Sequence, residues 1–417
     1  MNHPKTISIQ DYTYDLPVEK IALHPLQERD ASKLLIYRDG IIQQDIYKNI
    51  ADHLPANSFL VFNNTKVIKA RLKFKKISGG IIEIFCFEPY EIINEYSSVM
   101  GKTGSVTWKC MIGGVSKWKK DVLEIKLTSG NNPLSVSAKL IEKLNDAYVV
   151  EFNWSPTSLS FAEVLEHFGD IPLPPYIKRQ TEKEDLERYQ TIYAKDEGSV
   201  AAPTAGLHFT KEVFNRLAKN NIKTDFITLH VGAGTFKPVK AAIMQEHEMH
   251  SEWIDVSAEF IERLIKHLHK TVVTVGTTSL RTIESLYWMG VKAYLQPALT
   301  QLHISQWEVY EPAMINCNIT AKDALTALQS WLKNNNQQRL FTQSQILIAP
   351  GYHFKIANAI VTNFHQPQST LLLLVAAATE NTKVPQQFNW RKIYNYAMQN
   401  DFRFLSYGDG SLLFISH

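Results

Sequence analysis

Three short segments of the 417-residue chain combine small residues with hydroxyl, imidazole or guanidinium groups, which could bind a polar ligand or move a proton. In the first, residues 198–210, alanines and glycines surround Thr204 and His208 just before a predicted helix. Small residues let a ligand approach the backbone, and a histidine there could serve as an acid, a base or a hydrogen-bond donor. A tight connector that buries His208 in the core is an equally good interpretation.

A glycine-rich loop follows the predicted strand that ends at His230. It contains Gly232, Gly234 and Thr235, and glycines at the carboxyl end of a strand often border a ligand. The loop lacks the third glycine and the helix of a dinucleotide fingerprint, and it lacks the Gly-Lys-Ser/Thr of a P-loop. The segment therefore predicts only that a ligand lies nearby.

The third segment predicts an anion-binding helix start. A strand over 272–275 runs into the turn 276–279, and the following helix carries Arg281. Free backbone amides at the start of a helix attract a carboxylate or a phosphate, and Arg281 adds a fixed positive charge. Ordinary capping of the helix by a hydroxyl of the turn is the alternative. We take Thr277 and Thr278, together with Arg281, as the anchor for a ligand carboxylate.

Two further segments carry polar side chains near predicted turns. Asn363 and His365 end a short predicted strand, which would place them at the mouth of a sheet. In residues 246–252, His247 and His250 are three positions apart instead of the four of zinc proteases, and no third ligand is apparent. We predict no metal site there and interpret this segment as a polar wall.

A run of basic residues alternates with apolar ones and predicts a half-buried strand with a positive face. No acidic residue occurs in the twelve positions 65–76. Such a face could bind RNA phosphates, although a solvated strand is the usual explanation of this pattern. The basic residues are Lys66, Lys69, Arg71, Lys73, Lys75 and Lys76.

The order of predicted elements places these segments in two structural units. Short strands separated by turn residues continue to residue 154 and predict a small all-β barrel. Beyond it, predicted helices such as 211–218 and 258–269 alternate with strands, as in α/β proteins. Because one core rarely supports so long a chain, we predict an α/β fold with a discontinuous core domain, 1–65 and 155–417, and an inserted β-barrel domain, 66–154.

Composition narrows the class of protein. The 44 basic and 41 acidic residues give a net charge of only +3, so any contact with nucleic acid must come from local patches. Three widely spaced cysteines suit a reducing compartment and form no disulfide or zinc pattern. The first residues show no secretion signal, and the apolar run 371–378 is too short to cross a bilayer. We therefore expect a cytoplasmic protein without a membrane contact.

Together these segments resemble the S-adenosylmethionine:tRNA ribosyltransferase-isomerases of queuosine biosynthesis. The resemblance covers nearly the whole chain except residues 289–342, where this sequence is longer than usual and follows no pattern that we recognise. It also departs from the family at His24 and Asn64, where Gln and Asp are common. The most specific blocks are AAPTAGLHF at 201–209, TLHVGAGTF at 228–236, VGTTSLR at 275–281, TNFH at 362–365 and SYGD at 406–409.

The resemblance implies a reaction and its participants. The enzyme would transfer and isomerise the ribosyl part of S-adenosylmethionine onto 7-aminomethyl-7-deazaguanine at the wobble position of tRNA, giving epoxyqueuosine, adenine and methionine. The sulfonium acidifies the neighbouring ribose carbon, so the site needs a base, an acid for adenine and a clamp for the methionine carboxylate. No cofactor beyond S-adenosylmethionine as a consumed substrate is expected, and the tRNA would carry a Gly-Urd-Asn anticodon. We expect a monomer.

Site residues follow from matching these requirements to the blocks. The acid–base candidates are His208, His230 and Glu252, with His250 behind them. The candidates for binding S-adenosylmethionine are Thr204, Gly234, Thr235, Thr277, Thr278, Arg281, Asn363 and His365. The candidates for tRNA phosphate contacts, largely on the predicted barrel, are Lys66, Lys69, Arg71 and Lys178.

Two other functions remain open at this point. A catalytically silent paralogue would bind tRNA without turnover. A transferase that uses the same sulfonium donor on a small molecule would leave the basic strand without a role, and salt-sensitive tRNA binding would argue against it.

Overall fold

The fold is known from a computed structural model. It describes residues 3–76, 79–91, 95–118, 121–129, 132–145, 147–232, 239, 241–380 and 388–415. The strands are β1 (Lys33–Arg38), β2 (Ile41–Ile46), β3 (Phe59–Asn63), β4 (Thr65–Val67), β5 (Arg71–Lys75), β6 (Ile81–Pro89), β7 (Ser105–Gly113), β8 (Leu123–Ser129), β9 (Asn132–Lys143), β10 (Tyr148–Ser155), β11 (Gly169–Asp170), β12 (Asp196–Ser199), β13 (Lys223–His230), β14 (Glu252–Ser257), β15 (Val272–Val275), β16 (Arg339–Ser344), β17 (Ala359–Asn363) and β18 (Gly410–Phe414). The helices are α1 (Tyr96–Met100), α2 (Phe161–Phe168), α3 (Asp185–Arg188), α4 (Lys211–Lys219), α5 (Ala258–His267), α6 (Thr277–Leu295), α7 (Pro312–Ile315), α8 (Ala321–Asn334), α9 (Thr370–Ala378) and α10 (Asn389–Gln399).

A nine-stranded mixed sheet forms the centre of the molecule, in the order β16-β14-β13-β3-β15-β17-β18-β1-β2. Its strands β13, β3, β15 and β17 are mutually parallel. Strands β3, β15 and β17 are buried along their whole length, as their continuous apolar runs predict for a sheet covered on both faces. The carboxyl ends of the four parallel strands therefore lie along one edge, where ligands bind in open α/β sheets.

Helices cover this sheet, and a hydroxyl side chain caps the start of α4 and of α5. Thr210 and Ser257 accept hydrogen bonds from the third residues of α4 and α5, which confirms the helices predicted there. Helix α6 is buried along most of its length and packs against α8 so closely that a Cβ on Gly290 would lie 2.1 Å from the Ala324 carbonyl oxygen. Residues 289–342, which followed no recognised pattern, form the end of α6, α7, α8 and the start of β16.

The expected β-rich region is a seven-stranded antiparallel sheet with the order β11-β5-β6-β7-β10-β9-β8. It curls around its own core of Trp108, Phe152 and Phe161 as a half-barrel. The predicted alternation is confirmed in β5, where Leu72 and Phe74 are fully buried between outward basic residues. The mixed α/β class with a separate antiparallel sheet is thus the observed architecture.

A third, two-stranded sheet joins the two larger ones. Strand β4, which follows β3 after one residue, pairs in parallel with β12. The chain therefore leaves β4 at Val67 and returns at Asp196, which pairs with Thr65 two residues earlier. None of the described helices is both long and apolar enough to cross a membrane.

Candidate functional site

A cleft of about 940 Å³, including its open mouth, lies at the carboxyl ends of the parallel strands. The segments after β15 and β17, together with residues 201–205, form much of its wall. Its polar lining includes Tyr176, Tyr189, Thr204, Glu252, Thr277, Thr278, Arg281, Thr362, Asn363, His365, Ser369 and Ser406. The fold thus gathers these polar residues from seven separate places in the sequence around one space.

The start of α6 faces this cleft. Gly276 precedes the helix with φ of 93°, a conformation that favours glycine, and caps it with no side chain. The hydroxyl of Ser279 donates to the Val275 carbonyl instead of capping the helix. Thr277 and Thr278 line the cleft beside this helix start, whose first amides have no carbonyl of a preceding turn to bind. The arrangement suits a carboxylate or another anion.

A buried ion pair crosses the cleft wall between Arg281 on α6 and Glu252 at the start of β14. The Arg281 Nε also donates to the Ile346 carbonyl at 3.2 Å. Burial raises the pKa of the Glu252 carboxyl, and the Arg281 guanidinium opposes that rise. Arg281 is therefore not the free cation that the sequence predicts, because a ligand carboxylate would have to share it with Glu252.

An asparagine amide in the cleft has a donor with no hydrogen-bond partner. Thr204 donates a 2.8 Å hydrogen bond to Asn363 Oδ1, and this bond orients the amide. Among the described residues, none accepts from Asn363 Nδ2, although Asn363 is only 3% exposed. A buried amide without a partner is costly, so a ligand acceptor at this position would satisfy it.

His365 lies in the same wall and is held on both sides. Its Nε2 lies 2.8 Å from Thr362 Oγ1, its amide donates to the Tyr394 hydroxyl, and its carbonyl accepts from Tyr14. Burial lowers the pKa of His365 to about 4, so its imidazole is neutral at pH 7. It can therefore exchange hydrogen bonds with a ligand without carrying charge.

The structure does not bring the other predicted histidines to the cleft. His208 stacks on Tyr47 in a separate, smaller cavity, and burial lowers its pKa to about 3. His230 stacks on Tyr96, with its Nδ1 3.3 Å from Thr65 Oγ1, and burial lowers its pKa to about 4. His250 is half-buried and is not part of the cleft lining.

Part of the predicted site cannot be placed. Gly234 and Thr235 lie outside the described residues. The first residue after β13, Val231, does line the cleft. The described groups of His, Cys, Asp and Glu include no cluster of three or more with the geometry of a metal site.

Sequence reasoning missed several residues of the cleft. Tyr176 and Ser406, whose oxygens are 2.5 Å apart, meet there from segments that are 230 positions apart. Tyr189 and Thr362 also line it. Thr362 and Ser406 stand in the blocks TNFH and SYGD that carry the family resemblance, and a hydroxyl in such a block was the available signal.

The predicted positive track on the antiparallel sheet is wrong as a track of free charge. Four of its cations are paired with carboxylates that neighbouring elements supply, so the local charge is largely cancelled. Lys178 differs from them: it is exposed, and it has no ionic partner within the part of the chain that the structure describes. The pairs are Lys66–Glu197 at 2.8 Å, Lys69–Glu166 at 2.5 Å, Arg71–Glu83 at 2.8 Å and Lys73–Asp170 at 2.8 Å.

Comparison with known proteins agrees with the resemblance. Residues 9–413 match the family model described as queuosine biosynthesis protein. An S-adenosylmethionine:tRNA ribosyltransferase-isomerase of Magnetococcus marinus is 34% identical over 97% of this chain and 94% of its own. The S-adenosylmethionine:tRNA ribosyltransferase-isomerase of Xylella fastidiosa is 35% identical over 97% of this chain and 96% of its own.

Among solved structures, the S-adenosylmethionine tRNA ribosyltransferase of Thermotoga maritima matches over 96% of this chain and 99% of its own. The TM-score of this match is 0.44 and the sequence identity is 25%.

Proposed function

The chain belongs to the family of queuosine biosynthesis proteins that includes these S-adenosylmethionine:tRNA ribosyltransferase-isomerases, and we propose that it catalyses the same reaction. It transfers and isomerises the ribosyl part of S-adenosylmethionine onto 7-aminomethyl-7-deazaguanine at the tRNA wobble position. The products are epoxyqueuosine, adenine and methionine. The observation that carries this proposal is the cleft in which an uncapped helix start, a buried Arg281–Glu252 pair and the unpartnered Asn363 amide face one space.

The charges of the donor fit this cleft. S-adenosylmethionine has a positive sulfonium, a carboxylate and an adenine. The start of α6, with Thr277 and Thr278, offers amides and hydroxyls to the carboxylate. Asn363, Thr204 and His365 offer neutral donors and acceptors of the kind that an adenine edge requires.

Glu252 is our choice for the general base. A base must remove a proton from the ribose carbon next to the sulfonium; adenine then departs with a proton, and the amine of the modified base attacks. Of the acid–base candidates in the described chain, Glu252 is the one that lines the cleft. A raised pKa brings a carboxylate closer to the ideal strength of a base that acts near neutral pH. Arg281 would hold it in place and keep it ionised in the resting enzyme.

The proposal extends to the partners. The tRNA carries a Gly-Urd-Asn anticodon, Lys178 contacts its phosphates near the cleft, and no metal or redox cofactor takes part. The enzyme acts as a monomer in the cytoplasm. These statements rest on the family resemblance and on the exposure of Lys178 close to Tyr176.

We also propose that residues 66–154 form an inserted barrel domain on a core of residues 1–65 and 155–417. The antiparallel sheet has its own apolar core, which supports the division. Phe161 and Val164 of α2 pack against that core as well, so the first helix after the insertion belongs to its packing.

The test combines purified protein, S-adenosylmethionine and an anticodon stem-loop that carries 7-aminomethyl-7-deazaguanine. Release of adenine and methionine and the mass of the nucleoside are followed together. Epoxyqueuosine with both products is expected, and a stem-loop with an unmodified guanine is the control without an amine nucleophile. Binding without turnover would indicate a silent paralogue instead, and turnover with a free amine in place of RNA would indicate a small-molecule transferase.

A further inference from the structure

A small pit adjoins the main cleft and holds two arginines and a buried histidine. Its interior has room for about one water-sized group, and with its open mouth it measures about 250 Å³. Arg29 and Arg188 are partly exposed, whereas His208 is only 4% exposed. The lining residues are Pro25, Leu26, Arg29, Ser32, Arg188, Leu207, His208, Ser406 and Tyr407.

Among the described residues, the positive charge of this pit has no anionic partner of its own. Arg29 donates to the carbonyls of Glu187, Gln190 and Leu207, and Arg188 donates to those of Leu26 and Gln27. In the described part of the chain, neither guanidinium forms an ion pair with a carboxylate. Burial and the neighbouring Arg188 lower the pKa of Arg29, which shows that the two cations oppose each other. An anion between them would relieve that repulsion.

Two carboxylates close in sequence to Arg188, those of Asp185 and Glu187, do not fill this role. Asp185 accepts from Arg179 at 2.6 Å and from the Tyr407 hydroxyl at 2.7 Å, so it is already engaged. Glu187 is exposed to solvent and contributes only at a distance to the charge around Arg29. Arg188 Nε is buried and lacks a hydrogen-bond acceptor among the described residues. A donor in that state points to a ligand that supplies the acceptor.

His208 offers the opposite chemistry in the same pit. Its Nδ1 lies 3.3 Å from the Arg29 carbonyl oxygen, which can only accept, so the proton of the neutral ring is on Nδ1. Its Nε2 therefore presents a lone pair, and this atom is buried without a partner in the described structure. Since burial lowers the pKa of His208 to about 3, the ring stays neutral at pH 7. The pit thus needs a ligand with both an anionic group and a hydroxyl donor.

A rigid turn sets the pit next to the cleft. Leu405 lines the cleft, Tyr407 lines the pit, and Ser406 lines both. Leu405 has φ of 68°, which a leucine adopts only where the surrounding structure enforces it. A Cβ on Gly408 would lie 2.5 Å from the Arg403 carbonyl oxygen, so the turn has no room to shift. A ligand in the pit is therefore held at a fixed place relative to a ligand in the cleft.

We propose that the pit binds a ribose-phosphate unit of the RNA strand next to the nucleotide that enters the cleft. The phosphate is bound by Arg29 and Arg188, and the ribose 2′-hydroxyl donates to His208 Nε2. Guanidinium groups match phosphate geometry, and the 2′-hydroxyl is the group that distinguishes RNA from DNA. This inference rests on the proposed function, because it assumes that the substrate is an RNA.

The first experiment measures binding of the anticodon stem-loop by fluorescence anisotropy over a range of KCl concentrations. Arg188→Gln is expected to weaken binding about tenfold at low salt, because it removes a charged hydrogen-bond donor. It should also flatten the slope of log K against log salt by about 0.7, the value for one phosphate on a single strand. Arg263→Gln, which removes the same charge beside Asp225 near the start of β13, is the control and should bind like the original protein.

The second experiment changes the RNA and leaves the protein fold untouched. Stem-loops with a single 2′-deoxy nucleotide on either side of the wobble position are compared with the all-ribose stem-loop. One of the two positions should weaken binding about fivefold, as expected for the loss of one hydrogen bond. That loss should disappear in His208→Phe, which keeps a ring on Tyr47 but has no Nε2.

The outcomes separate this inference from the proposed function. Binding that depends on Arg188 without adenine release would keep the pit as an RNA site and remove the enzyme assignment. Turnover with an unchanged KM for RNA and an unchanged salt slope in Arg188→Gln would overturn the pit and keep the enzyme. Inorganic phosphate that binds the original protein but not Arg188→Gln, while RNA binding is equal in both, would make the pit a free-phosphate site and also overturn the inference.

Discussion

Arg281 and Glu252 form an ion pair within the cleft, and each residue is only 4% exposed. Removing one partner leaves a buried charge without compensation, whereas removing both does not. This asymmetry separates the role of the pair in folding from its role in catalysis, which is the basis of the first prediction.

Glu252→Gln should lower kcat at least about 100-fold, the usual contribution of a general base. It should also lower the free energy of unfolding by about 3 kcal/mol, because Arg281 stays buried and unpaired. The double variant Glu252→Gln/Arg281→Met should regain most of that stability but no activity. Urea unfolding and adenine release measure the two effects. A single variant that is stable and active would exclude Glu252 as the base.

Asn363→Leu should raise the KM for S-adenosylmethionine about tenfold, because it removes the unpartnered amide from the cleft. Thr204→Val should raise this KM by a smaller factor, because the Asn363 amide remains but loses the hydrogen bond that orients it. Steady-state kinetics at saturating RNA measure both. Asn153→Ala on the antiparallel sheet, whose side chain is exposed, is the control. Equal KM values in all four proteins would remove Asn363 from the binding site.

Stability should fall as pH drops from about 6.5 toward 4 because buried histidines, among them His208, His230 and His365, resist protonation. The folded pKa of His208 is about 3 and that of His230 is about 4, both below the ordinary value of 6.5. In this window the unfolded chain binds protons that the folded chain does not, so unfolding is favoured. Each histidine should contribute a slope of about 1.4 kcal/mol per pH unit near pH 5.

Urea unfolding at pH 7 and pH 5 measures that slope. His230→Gln should reduce the slope by about 1.4 kcal/mol per pH unit, the contribution of one proton. His269→Gln, at an exposed position, is the control and should leave the slope unchanged. A slope unchanged by His230→Gln would mean that this histidine is protonated in the folded protein.

Gly290→Ala should destabilise the protein by about 2 kcal/mol, although alanine normally favours a helix over glycine by about 1 kcal/mol. The added Cβ would meet the Ala324 carbonyl at 2.1 Å and push α6 and α8 apart. Thermal unfolding measures the change. Ser330→Ala on the partly exposed face of α8 is the control for helix propensity alone. A rise in the melting temperature of Gly290→Ala would show that the two helices are not in close contact.

Local patterns predicted local structure well. A strand of alternating residues was correctly assigned at Leu72 and Phe74, and the predicted helices 211–218 and 258–269 match α4 and α5 closely. The helix start at Thr277 could be predicted because its signals, a strand, a glycine and a hydroxyl turn, all lie within one short segment. Period and capping are short-range properties, so a single sequence suffices for them.

What the sequence could not give was the identity of distant partners. Lys69 and Arg71 looked like free cations because their carboxylates, on Glu166 and Glu83, come from other elements. In the same way Arg281 looked free until Glu252 was placed against it. His208 shares a segment with Thr204, yet the two side chains line different cavities, because they lie four positions apart on a 3-10 helix and so point in different directions. Contacts between residues that are far apart in the sequence depend on the fold, and the spacing of residues along the chain does not predict them.

The pairing of β4 with β12 ties the departure of the chain at Val67 to its return at Asp196. Because the excursion is fastened at its base in this way, its antiparallel sheet can vary without displacing Thr65, which lies against His230, or the strands that end beside the cleft. The evolutionary freedom of the antiparallel sheet is thereby uncoupled from the cleft, and relatives that differ in this sheet could keep the same cleft.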